Sequence, residues 1–367
     1  MSIFSEYRNM LDLLKKKHQV VFYSESRHYY PYFKQLIEDL KATQQVAITY
    51  ITSDKQDPLL TQSVTGMQVV HIKWMLGFLF SKIKADVMIM TMPDLGNYLF
   101  RRSEYVGNYI YMFHAAVSTH QQYREHAFDN YDTVFCTGDY QVNEIRRTEE
   151  LYKLGKKELV NYGYPLFDEL NRSKKTEKEK TILLAPSWYP EGIFDSCFEE
   201  LIKILSGLPY RTIIRTHPEY VKRNRGFLKK IKQEFGLKKN IQVDELTSVT
   251  ERLSTTDILI TDRSGIAFEF AFGIGRPVLF IDTPLKINNP ASGLLGIEPK
   301  ENTLRKELGI SLEPTSLQQL PMKINELFSS SGEYNLKFSE MRQRLFFNSV
   351  ESYRAGVDFI LSKTCLD

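Results

Sequence analysis

LITDRSGIAFEFAFGIGRPVLFID, residues 259–282, holds an apolar run, a polar turn, an aromatic-rich helical pattern and a second apolar run. DILIT (257–261) reads as a strand, IAFEFAFGIG as a helix with Ile266, Phe270 and Phe272 apolar, and PVLFID (277–282) as the next strand. Strand, helix and strand in close succession make a βαβ unit and a parallel sheet. Asp262-Arg263-Ser264-Gly265 is then the turn from strand to helix. The first N–H groups of a helix lack intrahelical partners and carry the positive end of its dipole. A phosphate suits them, and Gly265 permits its close approach. A side-chain cap from Asp262 or Ser264 would serve the same groups. The chain has no Walker lysine motif and no GxGxxG, so neither a P-loop nor a dinucleotide fingerprint is present.

The same alternation runs outward from this stretch. TILLAPS (181–187), YRTIIRTH (210–217) and NIQVDE (240–245) precede it as strands of the same series. Further back, QVVFYS (19–24), VAITYIT (46–52), MQVVHI (67–72), DVMIMT (86–91), YIYMFH (109–114) and TVFCT (133–137) form another series. They are short, β-branched or aromatic, and not strictly alternating, as strands covered on both faces are. Between them lie helical patterns such as YYPYFKQLIEDLKAT, with Phe33, Leu36, Ile37 and Leu40 on one face. NRSKKTEKEK (171–180) has no apolar residue and reads as a linker. The expected architecture is α/β: two doubly wound domains, 1–170 and 180–340, facing a central cleft. Residues 341–367 are expected to return as a helix to the N-terminal domain. Ligands of such sheets sit beyond the carboxyl ends of the strands.

Composition narrows the function. Of 367 residues, 42% are hydrophobic and 25% charged, a globular balance, and the net charge of +3 gives no reason to expect nucleic acid. Cys136, Cys197 and Cys365 are too scattered for a metal site and fit a reducing compartment. The N-terminus, charged throughout, does not read as a signal peptide. WMLGFLFSKIKADVMIM is broken by Lys82, Lys84 and Asp86, and reads as a helix, a turn and a strand rather than a membrane span.

Several residues at strand ends could carry chemistry. Arg215-Thr216-His217-Pro218 ends a strand, and Pro218 fixes the backbone after it. His217 then stands on the cleft, although a lone histidine is more often structural. His114 ends a strand of the first series and faces the same cleft. His120 and His126 follow at intervals of six, which does not place them on one helical face. Solvated loop or helix surface is their ordinary setting. Glu269 lies one turn into the helix, where it could accept hydrogen bonds from a ribose diol or simply complement the dipole. No Asp-x-Asp, HExxH or Cys/His cluster is present, so no metal or other cofactor is expected and cationic and N–H groups must balance charge.

With these residues in view, the chain resembles the CDP-glycerol glycerophosphotransferase family, which includes teichoic acid primases and polymerases. The resemblance rests on motifs in order over about residues 105–360: FHAA (113–116), YDTVFCTGDYQVNEI (131–145), YGYPLFDEL (162–170), LLAPSWYPEG (183–192), RTHP (215–218) and TDRSGIAFEFAFGIGRPVLFID (261–282). It departs where the family has Trp-His-Gly, an Arg after Gly-Tyr-Pro, and a second Ser at Gly265. The resemblance implies transfer of a polyol phosphate, by default glycerol phosphate, from a CDP-polyol to a hydroxyl of a cell-surface glycan or lipid-linked polymer, with release of CMP. It implies a GT-B type architecture, two Rossmann-like domains with a deep cleft, and His114 and His217 as catalytic groups. Arg215, Ser264 and Gly265 would hold the donor phosphates, and Glu269, Pro186 and Ser187 would meet the nucleotide and ribose.

The stretch YVKRNRGFLKKIKQEFGLKKN, with Lys222, Arg223, Arg225, Lys229, Lys230, Lys232, Lys238 and Lys239, is either a solvated basic helix or a docking face for an anionic membrane. The second reading goes with a cytoplasmic enzyme held peripherally on the inner face of the membrane. Two other readings share this architecture, since fold does not fix function. One is a sugar transferase or nucleotide-sugar epimerase; the other is a non-catalytic glycan- or membrane-binding module.

Overall fold

A computed structural model of the chain describes residues 3–62, 64–96, 100–175, 179–224, 226–236, 238–244 and 248–365. Arg225, Glu245 and linker residues 176–178 lie outside the described residues.

Two parallel sheets form, each wound from helices on both faces. The first runs in the order β3-β2-β1-β4-β5-β6-β7. Its strands are β1 (His18–Ser24), β2 (Ile48–Thr52), β3 (Met67–His71), β4 (Ala85–Met90), β5 (Val106–Met112), β6 (Thr133–Cys136) and β7 (Glu158–Asn161). The second runs β10-β9-β8-β11-β12-β13. It comprises β8 (Thr181–Leu184), β9 (Arg211–Ile214), β10 (Ile241–Val243), β11 (Ile258–Thr261), β12 (Val278–Ile281) and β13 (Gly309–Leu312). Central strands are buried on both faces: all six residues of β4 and all four of β8, β11 and β12 are inside. That is why they read as continuous apolar runs.

Helix α1 (Ile3–Leu14) precedes the first sheet. Helix α2 (Tyr30–Thr43) buries Phe33, Leu36, Ile37 and Leu40, the face its spacing predicts. Helix α3 (Leu76–Lys82) is followed at once by β4, so WMLGFLFSKIKADVMIM is a helix, a turn and a strand. Residues 266–274 depart from the simple helix expected there. An α-helical turn, Ile266–Phe268, passes into a π-helix, Glu269–Ile274, that ends at Gly275 with φ 74°. π-Helical turns are rare, and many lie at functional sites.

The chain crosses back to the first domain near its end. Helix Leu320–Leu345 lies on the second sheet, and helix Val350–Lys363 packs Val357 and Ile360 with Phe33, Ile37 and Phe135. The crossing is pinned at the Gly-Tyr-Pro motif. Asn348 accepts from the Tyr164 N–H at 3.1 Å and donates to its carbonyl at 2.7 Å. Gly163 has φ +89°, and a Cβ there would lie 2.7 Å from the Phe347 carbonyl oxygen, so glycine is required on both counts.

A second connection between the domains is made of hydrogen bonds. The 118–122 segment of the first domain meets the 286–302 segment of the second. Ser118 N–H donates to Glu301 (3.0 Å), and Lys300 N–H donates to Ser118 Oγ (2.8 Å). Gln121 Nε2 donates to the Lys286 carbonyl (3.2 Å), and its own carbonyl accepts from Asn288 N–H (3.0 Å). His120 Nε2 lies 2.9 Å from the Ile297 carbonyl. His120 is therefore buried in this clasp and does not have the ordinary solvated setting. Burial works to lower its pKa, but Glu144, 3.4 Å away, the Ile297 carbonyl and Glu301 together raise it. His126 is exposed beside Asp129, at 2.7 Å.

Candidate active site

Strand order reverses between β1 and β4 in one sheet and between β8 and β11 in the other. Open α/β sheets bind ligands at such switch points, beyond the carboxyl ends of the strands. His114 follows β5, His217 follows β9, Pro186 and Ser187 follow β8, and Ser264 and Gly265 follow β11. The fold brings them to one cleft.

The two histidines are set up differently. His114 Nδ1 lies 3.1 Å from the Thr91 carbonyl oxygen. A carbonyl only accepts, so Nδ1 carries the hydrogen and Nε2 the lone pair. At His217 the Glu219 N–H donates to Nδ1 at 3.2 Å. There Nδ1 holds the lone pair and Nε2 the hydrogen. One ring thus offers a base at Nε2 and the other a donor at Nε2. His217 also caps the helix Pro218–Arg223. Burial pushes the His114 pKa down to about 4, with Lys286 adding to the effect. Burial, then Lys286 and His114, push His217 down to about 3. The ordinary imidazole value near 6.5 is displaced because Tyr29, Tyr32 and Tyr123 pack around the ring, at 5.3, 6.2 and 6.2 Å. Both rings are neutral at pH 7.

Lys286, which carried no sequence motif, places its charge close enough to both rings to act against their protonation. Its ammonium donates to Ser187 Oγ at 3.1 Å and lies 5.4 Å from the Trp188 ring. Burial lowers its pKa, while Asp262 and Glu301 oppose that shift. Trp188 is also 6.0 Å from the His217 ring and 4.5 Å from the Arg223 guanidinium. Arg215, expected at the donor phosphates, is buried with its guanidinium 2.5 Å from Asp244, which also meets Arg252 at 3.1 Å. Its charge still reaches the cleft, where it acts against protonation of His217.

The opening turn is resolved in favour of neither Asp262 nor Ser264 as a cap. The helix begins at Gly265 without a side-chain cap. Asp262 is fully buried and accepts from the N–H groups of Ser187 (2.7 Å), Arg263 (2.7 Å) and Ile193 (3.2 Å). It positions the Pro186–Ser187 loop. Gly265 faces the other domain: a Cβ would lie 3.0 Å from Val117 and 3.6 Å from Ala115. Glycine here lets the FHAA loop close on the helix start. Ser264 is half-buried at this junction.

Glu269 is buried beneath aromatic rings, with no exposed face for a dipole effect alone. Its Oε1 accepts from Tyr164 at 2.7 Å and, more weakly, from Tyr32 of α2 at 3.5 Å. Tyr32 lies 5.9 Å from Tyr164 and 6.2 Å from His114, so Glu269 and His114 share one aromatic wall. Burial raises the Glu269 pKa from 4.5 to about 7, against the two tyrosine hydrogen bonds. A carboxyl raised in the folded state stabilises while protonated and loses that stability as pH rises through its folded pKa. Glu269→Gln, which keeps the acceptor, should therefore stabilise the protein at pH 8 by about 3 kcal/mol and have little effect at pH 4. Urea unfolding at the two pH values measures it; an equal change at both would place the effect in packing.

A family model described as CDP-Glycerol:Poly(glycerophosphate) glycerophosphotransferase matches residues 5–287. The chain belongs to this family. It is an enzyme, a glycerophosphotransferase with CDP-glycerol as donor. The match runs from residue 5 through the first hundred residues of the glycerophosphotransferase, where no motif stood out, so most of α1, α2 and Tyr32 lie within the family region. No curated protein gives a significant sequence match. Solved structures share the fold. The wall teichoic acid polymerase TagF aligns at TM-score 0.61 and 15% identity, over 99% of this chain and 98% of that one. A TagF variant soaked with CDPG aligns at 0.60 and 15%, with the same coverage. UDP-GlcNAc 2-epimerase from Neisseria meningitidis, bound to UDP-GlcNAc, aligns at 0.59 and 14%, over 95% and 100%. At such identities the likeness speaks for the GT-B type α/β architecture of the glycerophosphotransferase.

Proposed function

We propose that an acceptor hydroxyl of a glycan or lipid-linked polymer enters from the His114 side and attacks the β-phosphorus of CDP-glycerol. The hydroxyl proton passes to His114 Nε2, the new P–O bond forms, and the bond to the bridging oxygen breaks. CMP leaves with that oxygen. His217 Nε2–H and the Lys286 ammonium meet the charge that gathers on the phosphates. The N–H groups at the start of the 266–274 helix, by Ser264 and Gly265, would meet the same charge. Arg215 adds long-range positive potential, and the Pro186–Ser187 loop and Glu269 flank the nucleotide. The observation that carries this reading is the pair of neutral histidines in opposite tautomers, both under the positive charge of the half-buried Lys286, in one cleft. A proton acceptor and a donor for anionic oxygen are what hydroxyl attack on a diphosphate requires.

Among the described residues no group of three or more His, Cys, Asp or Glu is arranged for a metal ion. With cationic side chains meeting the phosphates, transfer is proposed to need no divalent cofactor. The test uses CDP-glycerol labelled at the β-phosphate, with EDTA present and a glycerol-phosphate-primed acceptor. Label is expected in the acceptor and none in the released CMP. Label retained in the nucleotide, or preferential use of a sugar nucleotide, would return the cleft to the sugar-transferase or epimerase reading.

Among the described residues no helix is long and apolar enough to cross a membrane. We place the enzyme peripherally on the inner face of the cell membrane, where a lipid-linked acceptor would be met. The basic 222–239 stretch is partly committed elsewhere. Lys222 pairs with Glu219 at 2.5 Å, Arg223 stacks on Trp188, and Lys230 lies 3.6 Å from Glu199. Its exposed lysines supply attraction to anionic lipid that weakens with salt.

A further inference from the structure

We propose that Glu25 and His28, on the turn after β1, form the subsite that reads the free polyol end of the acceptor. Glu25 accepts a hydrogen bond from the hydroxyl next to the attacking one. The turn stands where a ligand of such a sheet belongs. β1 and β4 pair side by side, Tyr23 against Met90, and flank the switch point of the first sheet. Glu25 follows β1 as Thr91, whose carbonyl holds His114, follows β4. Tyr29 joins the two places, its ring edge-on to that of His114 at 5.3 Å.

The turn is held from behind. Ser24 Oγ donates to the Ser26 carbonyl at 2.7 Å, and Ser26 Oγ accepts from the His28 N–H at 3.2 Å. Asp54 accepts from the Arg27 N–H at 3.3 Å, and the Arg27 guanidinium donates to Gln56 Oε1 at 3.1 Å. Ser24, Ser26 and Arg27 are thereby committed within their own domain. Among the described residues, no hydrogen bond or ion pair occupies the Glu25 carboxylate or the His28 ring. Charges of the second domain reach both: Lys222 and Glu219 act on Glu25, and Arg215 and Lys222 act on His28. Glu25 keeps access to solvent, yet the protein around it raises its pKa, as befits a carboxylate on a cleft wall. Burial and then Arg27 lower that of His28, so its ring is neutral at pH 7.

Charge decides the ligand. The second domain supplies Arg215, Lys222 and Lys286, and such cations suit phosphates. A carboxylate facing them repels a phosphate, and the same cations disfavour an ammonium group. Neutral hydroxyls remain. A carboxylate accepts strongly from O–H, and a neutral imidazole offers one donor and one acceptor. A glycerol end fits this pair: one hydroxyl lies by His114 for attack while its neighbour is bound by Glu25. The identity of the acceptor rests on the transferase reading; the binding of a polyol end does not.

Two short glycerol phosphate oligomers, both blocked at their other end, are titrated into the full chain by calorimetry without donor. One ends in free glycerol. The other ends in 1,3-propanediol, which keeps the primary hydroxyl and lacks its neighbour. The first is expected to bind at least about ten-fold more tightly. Glu25→Ala should reduce that preference to about two-fold, and Glu25→Gln, which keeps a neutral acceptor, should fall between. His28→Ala should also reduce it. No binding of the glycerol-ended oligomer, equal binding of the two, or an unchanged preference in Glu25→Ala would overturn the proposal. So would loss of the same preference in Lys222→Gln, which would make Glu25 a latch that pairs with Lys222 across the cleft. CMP release from CDP-glycerol with the glycerol-ended oligomer is measured in parallel; it tests the transferase reading alone, and the binding preference is scored whatever its outcome.

Discussion

His114→Ala is expected to lower turnover by about 10²–10⁴-fold, the usual contribution of a positioned general base, with little change in CDP-glycerol affinity. The ring is held by the Thr91 carbonyl in the tautomer that leaves the Nε2 lone pair available. His114 follows a strand of one domain, whereas Ser187, His217 and Ser264 follow strands of the other. Its loss should therefore act on the chemical step more than on donor binding. The pH dependence gives a second check. The base must be neutral, so activity falls as pH drops through its pKa. In the free enzyme that pKa is pushed down to about 4. Bound diphosphate supplies negative charge beside the ring and raises it. The acid limb of kcat should thus lie at higher pH than the His114 component of the limb of kcat/KM. Near-wild-type turnover in His114→Ala would remove it as the base.

His217 carries two roles, and the right substitution separates them. Its Nδ1 caps the Pro218–Arg223 helix, and its Nε2–H is available to a phosphate oxygen. Asn is a good cap but cannot reproduce the imidazole Nε2–H. His217→Asn should leave stability nearly unchanged and cut turnover by about 10²–10³-fold, as loss of one oxyanion donor does. His217→Ala should lose the same activity and in addition about 1 kcal/mol of stability. Thermal unfolding and CMP release on the two variants distinguish the roles. If His217→Asn turns over normally, the histidine is a cap alone.

Much of the fold was legible because central parallel strands are apolar on both faces, as ADVMIM at β4 and TILL at β8 show. The edges were less so. GISL at β13 is only partly buried, so its composition carries little signal. In the site, His114 and His217 could be found because strand ends in this architecture face the cleft. Lys286 could not, since its partner Ser187 is 99 residues away and only domain packing brings them together. The Tyr32 contact to Glu269 spans 237 residues for the same reason. Histidine pKa values were beyond a reading of spacing, because they depend on burial by Tyr29, Tyr32 and Tyr123.

The hydrogen-bonded clasp between residues 118–122 and 286–302 bears on how such enzymes can be recombined. Gln121 holds the backbone of the opposite segment at two points, Lys286 and Asn288, while Ser118 and Glu301 exchange contacts across the clasp. The segment that fixes the backbone of Lys286 in one domain is thus supplied by the other, four residues after His114. A chimaera that takes one whole domain from a relative would split this paired surface between two ancestries. Grafts that carry both segments from the same parent would keep their complementarity, and substitutions in one segment would favour compensating changes in its counterpart.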